Sequence, residues 1–329
     1  MNWQGGDGIL AIYEAGGPEL YTGTSEDVRV AVAAMTAETK DGLRYEAVPW
    51  RKFHHAYGPG DDLPSVLTGI WSSDAESADG KLLDLWNRIC HQGTPSAAGA
   101  LAVPFLIRIA LAHSHHRALL LVGALARRPH LGDGTRAGLL RADTPAGVIN
   151  IEPSGYLIAW SVEAARQALT ADTDLLLPLL DHTDPAVRTA TAYALSAAAA
   201  PARDRIKAAL YARFDVEDDL VARASLVLAI GEVAWTERDA DTIARTHTWW
   251  RDPARPAEVR VSAALAWLCL VDDPIPTELD TLLDEKATDH LATLLTPVPW
   301  LFDADPEDGL RSALDQMRNP DDYAWLAKF

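Results

Sequence analysis

The feature that most constrains the fold of this chain is a pattern that returns every 35 to 37 residues. Arg188, Arg223 and Arg260 each follow an acidic or proline-containing turn, and small or aliphatic residues follow each arginine at helical spacing. The three arginines are 35 and 37 residues apart. A repeat of this length indicates stacked helical units, since one unit cannot bury its apolar face alone.

The stretch DPAVRTATAYAL, residues 184–195, shows how one unit is built. Asp184 is suited to cap a helix by accepting amide hydrogens of the first turn. Pro185 then fits the first helical position, where its missing N–H removes no hydrogen bond. Val187, Ala190 and Ala194 share one helical face, so we expect them to pack against neighbouring units.

Two prolines extend the period upstream. Pro104 in LAVPFLIRIA and Pro178 in LLLPLLDHT are 74 residues apart, twice 37, and each lies in a leucine-rich segment that precedes a second helix. Those second helices carry Arg117 and Arg188, which are 71 residues apart. A proline in a helix interior kinks the helix. The pattern therefore predicts pairs in which the first helix is kinked.

These residues resemble HEAT repeats, whose pattern is a proline-kinked first helix, an Asp turn and a Val-Arg pair at the start of the second helix. The resemblance implies a solenoid of stacked antiparallel helix pairs over 49–329, closed by an atypical pair at 279–295 and 306–317. The stretches that carry it are 172–199, 206–234, 242–272 and, less closely, 101–126.

The segment before the solenoid differs in kind. GILAIYEAG and LRYEAV have strand-forming residues, and TSEDVRVAVAAM between them reads as a helix capped by Thr24. We therefore expect a small α+β unit over 1–48. The predicted fold class is mainly α, a HEAT-like α-solenoid with this N-terminal unit. The Gly-rich loop at 127–153 is too long for a turn between repeats, and its role is open.

A narrower resemblance lies in HHAYG at 54–58, ICHQGT at 89–94 and LAVPFLIRI at 101–109. In this order they are similar to segments of a bacterial HEAT-repeat family of uncharacterised role. Some members are suspected of partnering toxins, or of acting as immunity or scaffold proteins. The resemblance implies a protein-binding role and supplies no catalytic residue.

Charge limits the classes of partner. The chain has 29 Lys and Arg against 47 Asp and Glu, a formal charge of −18. Such a field repels phosphate backbones, so nucleic acid is disfavoured and a basic or neutral protein partner is favoured. Two cysteines make no disulfide framework, no secretory signal is apparent, and no apolar run reaches the ~20 residues of a membrane span. We expect a cytoplasmic protein.

The arginine series allows two interpretations. In the favoured one, each arginine pairs with the turn carboxylate four residues before it, as Asp184 precedes Arg188 and Asp219 precedes Arg223. In the other, Arg188, Arg223 and Arg260 line a groove that grips carboxylate or phosphate.

The histidines are the second set of candidates. His113, His115 and His116 resemble metal ligands, but no acidic or cysteine ligand is near in sequence, so we expect no metal. HQG at 91–93 is favoured as the end of a helix, with Gly93 as its left-handed cap and His91 at the negative helix end. The alternative is that His91 and His54 converge as acid/base or ligand contacts.

Tryptophans are numerous, and most, including Trp86 and Trp160, sit in apolar helical patterns that indicate packing. Trp249 and Trp250 are adjacent, and adjacent helical residues diverge by about 100°. We therefore expect one of these two rings to lie at the surface as part of a patch or a ligand platform.

Three functions remain open. A protein-interaction or scaffold module, possibly of the immunity type, is favoured because solenoids present long binding surfaces and no catalytic or cofactor motif is visible. An enzyme or small-ligand binder using the concave groove, lyase-like or biosynthetic, is the alternative, and a HEAT-like DNA glycosylase is disfavoured by charge. The candidate contacts are His54, His55, Tyr57, Trp86, His91, Gln92, Trp160, Arg188, Arg223, Trp249, Trp250 and Arg260.

Overall fold

The computed structural model of the protein describes residues 25–127, 134–140 and 156–323. These residues are mainly helical and form seventeen α-helices and two short β-hairpins. The mainly α class is therefore confirmed. Within the described ranges, no helix is both long and apolar enough to cross a bilayer.

The chain divides into two compact units, and residues 25–48 belong to the same unit as residues 49–127. The first unit contains residues 1–128 and 143–175, and the second contains 129–142 and 176–329. The first helices are α1 (Ser25–Ala33), α2 (Ala37–Asp41), α3 (Leu63–Trp71), α4 (Ala75–Ile89), α5 (Ala97–His113), α6 (His116–Leu125), α7 (Ile158–Ala171) and α8 (Thr173–Leu176). The later helices are α9 (Pro185–Ser196), α10 (Arg203–Phe214), α11 (Leu220–Trp235), α12 (Ala240–Arg251), α13 (Ala257–Leu270), α14 (Thr277–Lys286), α15 (Asp289–Leu295), α16 (Pro299–Ala304) and α17 (Gly309–Arg318).

The first unit is organised around α5, which contacts α1, α2, α3, α4, α6 and α7. The Ser96 hydroxyl caps α5 by accepting the Gly99 N–H at 3.2 Å, and Pro104 lies inside the helix as predicted. Gly99 is required here because a Cβ would lie 2.6 Å from a Leu125 methyl group and 2.9 Å from the Ile89 carbonyl oxygen. The absence of a side chain therefore lets α5 approach α6 and the end of α4.

The expected N-terminal α+β unit is described only from residue 25. Its helix is confirmed as α1, whereas GILAIYEAG and the Thr24 cap lie outside the described residues. The strand expected in LRYEAV is wrong, because Tyr45–Ala47 form a 3-10 helix. The turn buries Tyr45 against Phe105 of α5, with ring centroids 4.9 Å apart. Packing on α5 thus overrides the local strand preference.

The second unit has three layers of helices. α9, α11 and α13 form the middle layer and contact one another in order. On one side they contact α10, α12 and α14, and on the other α15, α16 and α17. Every residue from Ala224 to Ala234 in α11 is buried, which requires neighbours around the whole helix.

Of two predictions about prolines in the second unit, the structure confirms one and contradicts the other. The Asp184 carboxylate accepts the Ala186 N–H at 2.9 Å, and Pro185 begins α9, as predicted. Pro178 was expected inside a kinked helix, but α8 ends at Leu176 and Leu177–Asp181 form a 3-10 helix. The proline therefore interrupts the helix instead of bending it.

Candidate functional site

Two β-hairpins bring the HHAYG and HQGT segments together in the first unit. In one, His54–His55 (β1) pairs with Gly58–Pro59 (β2), and in the other Cys90–His91 (β3) pairs with Thr94–Pro95 (β4). The Ala56 N–H donates to the Arg88 carbonyl oxygen at 2.9 Å and so joins the first hairpin to the end of α4. The sequence indicated both segments as functional candidates but predicted neither hairpin.

A partly buried polar network holds the first hairpin. His55 is buried, and its Nδ1 accepts the Tyr57 N–H at 3.1 Å, so the proton of the neutral ring lies on Nε2. That Nε2 donates to Asp62 Oδ1 at 2.9 Å, and Arg88 donates to Asp62 Oδ2 at 2.6 Å. Because both ring nitrogens are engaged, His55 acts as a structural link within the hairpin. Asp62 and Arg88 are members of the site that sequence reasoning missed.

Tyr57 stands at the tip of this hairpin with 63% of its surface exposed. Its ring meets the His91 ring edge-on, with centroids 5.5 Å apart, and its hydroxyl lies 3.3 Å from His91 Nδ1. Nδ1 also lies 3.1 Å from the Asn87 carbonyl oxygen, which can only accept, so Nδ1 carries the proton of His91. In the neutral ring, His91 Nε2 then has the lone pair, and the Tyr57 O–H keeps its hydrogen for another acceptor.

The helix-cap interpretation of HQG is wrong for Gly93. α4 ends at Ile89, and Gln92 and Gly93 are the two central residues of the second hairpin, with φ of +50° and +75°. Positive φ at both positions is what a type I′ hairpin turn requires, and it explains the glycine. The expectation for His91 is confirmed, since it bonds a carbonyl of the last turn of α4. Gln92 is exposed at the turn.

The alternative in which His54 converges with His91 is not what these contacts show. The side chain that contacts His91 is Tyr57, and His54 lies in β1 opposite Pro59. Burial, together with the nearby His55, lowers the pKa of His54 below its ordinary value. Trp86 is half-buried on α4. Trp160 on α7 is also half-buried and packs edge-on against Tyr156, with centroids 6.1 Å apart. These two tryptophans fit the packing role expected for them.

Two arginines of the series form ion pairs with glutamates 29 and 35 residues later in the chain. Arg188 binds Glu217 through two nitrogens at 2.7 and 2.6 Å, and Arg223 donates to Glu258 at 2.6 Å. The expected pairing with a carboxylate four residues earlier is wrong, because Asp184 and Asp219 are occupied in capping helices. Glu217 stands just before α11 and Glu258 lies in the first turn of α13, so each glutamate is near the start of the next helix of the series.

The alternative of an arginine groove is also wrong where these side chains are described. Arg188 is buried, and its remaining nitrogen donates to the carbonyl oxygens of His182 and Thr183. Arg260 donates through Nε to the Trp250 carbonyl oxygen at 3.0 Å. Both guanidinium groups thus hold parts of the second unit together.

Trp249 and Trp250 are both buried, with 6% and 2% of their surfaces exposed, so the expected surface ring is wrong. Trp249 stacks on Phe214 of α10 with centroids 4.5 Å apart. Trp250 packs against Trp267 of α13 with centroids 6.0 Å apart. The expectation assumed one buried face, whereas α12 contacts partners in two directions.

The segment 134–140, from the long loop that the sequence left open, lies in the second unit. Arg136 donates to the carbonyl oxygens of Met317 and Asp273 at 3.0 and 2.6 Å. Gln316 donates to the Thr135 carbonyl oxygen at 3.0 Å. A Cβ on Gly231 of α11 would meet a Leu140 methyl group at 2.9 Å.

The middle layer of the second unit is therefore covered on its second side by α15–α17 and by the segment 134–140. Trp300 of α16 donates to the buried Glu232 of α11 at 2.7 Å, and Ser196 of α9 donates to the same oxygen at 3.0 Å. These bonds join α16 and α9 to α11. The small-molecule alternative stays a prediction.

The remaining histidine candidates lie at a helix junction. α5 ends at His113, Ser114 adopts a left-handed φ of +53°, and α6 begins at His116. His113 packs edge-on against Trp71 with centroids 4.9 Å apart. In the part of the chain that the structure describes, no three His, Cys, Asp or Glu side chains are grouped to hold a metal.

Negative charge is concentrated near the end of the described chain. Residues 272–322 carry fourteen carboxylates against three cations, Lys286, Arg311 and Arg318. Many of the carboxylates are exposed on α14–α17, and Phe302 of α16 is exposed among them. Some have structural roles, as Asp305 accepts the N–H groups of Glu307 and Asp308 at 2.8 Å. The surface of these helices is acidic and carries an exposed aromatic ring.

Comparisons of the chain with protein-family models, with curated proteins and with solved structures find no match. The resemblance to HEAT repeats therefore rests on the sequence pattern and the contacts described above.

Proposed function

We propose that the chain is a HEAT-like helical-repeat protein. The support is that ion pairs in the second unit join residues about one sequence period apart. Arg188 and Glu217 are 29 residues apart, and Arg223 and Glu258 are 35 apart. In a stack of similar units, each unit contacts mainly its neighbours, so contacts recur at the period of the sequence.

Its function, in this proposal, is to bind a basic protein as an interaction or scaffold module. The observation that carries it is the acidic surface around α14–α17, because residues 272–322 carry fourteen carboxylates against three cations. A one-signed surface attracts oppositely charged partners and speeds their association. The exposed Phe302 supplies an apolar contact of the kind that interface centres use. An immunity-type role, in which the basic partner is a toxin, is one form of this function.

Binding of partner proteins at different salt concentrations tests the proposal. The full chain is immobilised on a resin and incubated with an extract of its source cells. Retained proteins are cross-linked and identified, and the affinity of each is then measured individually. We expect retained proteins to be basic and their affinity to fall steeply between about 50 and 500 mM salt, because exposed charges are screened beyond a few ångströms at high salt.

A pair of charge-matched variants locates the surface. Glu285→Gln/Glu307→Gln removes two exposed carboxylates of the acidic helices, and Glu46→Gln/Asp215→Asn removes two exposed carboxylates elsewhere. The first variant should slow association several-fold and the second should leave it nearly unchanged. Equal effects of the two variants, or binding that salt does not weaken, would contradict the proposal.

A further inference from the structure

We infer that the two hairpins of the first unit form a platform for an arginine or lysine side chain of the partner. This platform is centred on Tyr57 and His91, whose rings are in contact, and the exposed Leu83 of α4 and Asp61 after β2 belong to the same unit. The inference rests on the proposed function, since it assumes a basic protein partner, but it concerns a different surface from the acidic helices. Its basis is the combination of an exposed ring, a rigid support, open hydrogen-bonding groups and local negative charge.

The Tyr57 ring is exposed but held in place. Its backbone N–H donates to the buried His55, which donates in turn to Asp62, and Asp62 also accepts a hydrogen bond from Arg88. The ring edge and hydroxyl contact His91. A side chain already fixed in one position loses little conformational entropy when a partner binds, so it contributes more of its contact energy to affinity.

The chemistry of the platform suits a cation that donates hydrogen bonds. The face of a tyrosine ring attracts an ammonium or guanidinium group. His91 Nε2, whose lone pair follows from the bond between Nδ1 and the Asn87 carbonyl, can accept an N–H from the same group. Of the two ring side chains, Tyr57 offers an O–H and His91 offers an acceptor, because the Nδ1 hydrogen of His91 already points to the Asn87 carbonyl oxygen.

Charge around the platform has the complementary sign. Residues 60–94 carry six carboxylates and two cations. Both cations already have partners, since Arg88 binds Asp62 and Asp84, and Lys81 donates to the Ser73 hydroxyl at 2.8 Å. The exposed Asp61 lies beside Asp62 in the sequence. The segment therefore attracts a positive side chain.

An exposed aliphatic side chain completes the surface. Leu83 is 58% exposed on α4 and lies one helical turn before Asn87, whose carbonyl oxygen binds His91. The methylene stem of a lysine or arginine covers such apolar surface while its charged end stays with polar groups. The platform thus offers contacts to both parts of the side chain.

Binding of labelled peptides to the full chain tests this inference. The probe is a 15-residue Gly-Ser peptide with two arginines, and the matched peptide carries citrulline, a neutral isostere, in their place. Fluorescence anisotropy should show tighter binding of the arginine peptide. Tyr57→Leu, which keeps apolar bulk, should weaken that binding about 3- to 30-fold, the range of a cation–π contact. Tyr57→Phe should change it by less than about threefold.

Val216→Ala is the control, because Val216 is equally exposed in the other unit. It should leave the affinity unchanged, and circular dichroism should show that all variants remain folded. The platform is refuted if the citrulline peptide binds as tightly as the arginine peptide, or if Tyr57→Leu binds like the unaltered protein. In the second case, if Glu285→Gln/Glu307→Gln still slowed association with the basic partner, the proposed function would be retained and only the platform would be rejected.

Discussion

Neutralising Glu217 should destabilise the second unit more than neutralising any exposed carboxylate. Burial alone would raise the pKa of Glu217, but hydrogen bonds from Arg188, the Asp219 N–H and Arg213 outweigh it and lower the pKa from 4.5 to about 2. At about 1.4 kcal/mol per pH unit, this difference corresponds to about 3 kcal/mol of stability at pH 7. The Glu217 side chain is fully buried, so solvent does not screen these interactions.

Glu217→Gln should therefore lower the free energy of unfolding by about 3 kcal/mol at pH 7, since it leaves Arg188 buried without its counter-charge. The sign of the pH dependence follows from the lowered pKa. The stabilisation is complete above the unfolded pKa of about 4.5 and is lost as pH falls toward about 2. The difference between the two proteins should shrink by about 1 kcal/mol at pH 4 and by about 2 kcal/mol at pH 3.

Urea denaturation followed by circular dichroism at pH 7, 4 and 3 measures these differences. The control is Glu278→Gln, which removes an exposed ion pair with Arg251 and should cost less than about 1 kcal/mol. A loss below about 1 kcal/mol for Glu217→Gln at pH 7 would refute the reasoning. A decrease in the free energy of unfolding that stays constant from pH 7 to pH 3 would also refute it, because such a decrease would come from packing and not from charge.

Three further predictions concern packing. Gly99→Ala should lower the free energy of unfolding by about 1–3 kcal/mol, since its Cβ would meet neighbouring atoms. Gly80→Ala, at a position in the middle of α4 with open space around it, should raise the free energy of unfolding by up to about 1 kcal/mol, and thermal denaturation distinguishes the two variants. Trp249→Ala and Trp250→Ala should each cost about 3–5 kcal/mol in urea denaturation, and a cost below about 1 kcal/mol for either would place that ring at the surface. Arg136→Ala should speed amide hydrogen exchange in α17, and unchanged exchange would show that the segment 134–140 does not hold this helix.

Local signals in the sequence were reliable where one residue decides one geometry. Asp184 and Pro185 start α9 because a carboxylate can accept the first amide hydrogens and proline lacks the N–H that would be unpaired. Pro104 was placed correctly inside α5. The HHAYG and HQGT segments were candidates from the sequence, but their hairpins depend on cross-strand pairing, and a run of two residues carries no periodic signal for it.

The sequence by itself determined the helical class and the period, because turn chemistry and apolar spacing repeat along the chain. Tertiary structure alone decided what surrounds each helix. Trp249 and Trp250 are both buried because α12 has neighbours on two sides, and Arg188 pairs with Glu217 because the segment before α11 brings that carboxylate within 2.6 Å. Such contacts join residues distant in sequence, and their geometry follows from packing, which no local pattern encodes.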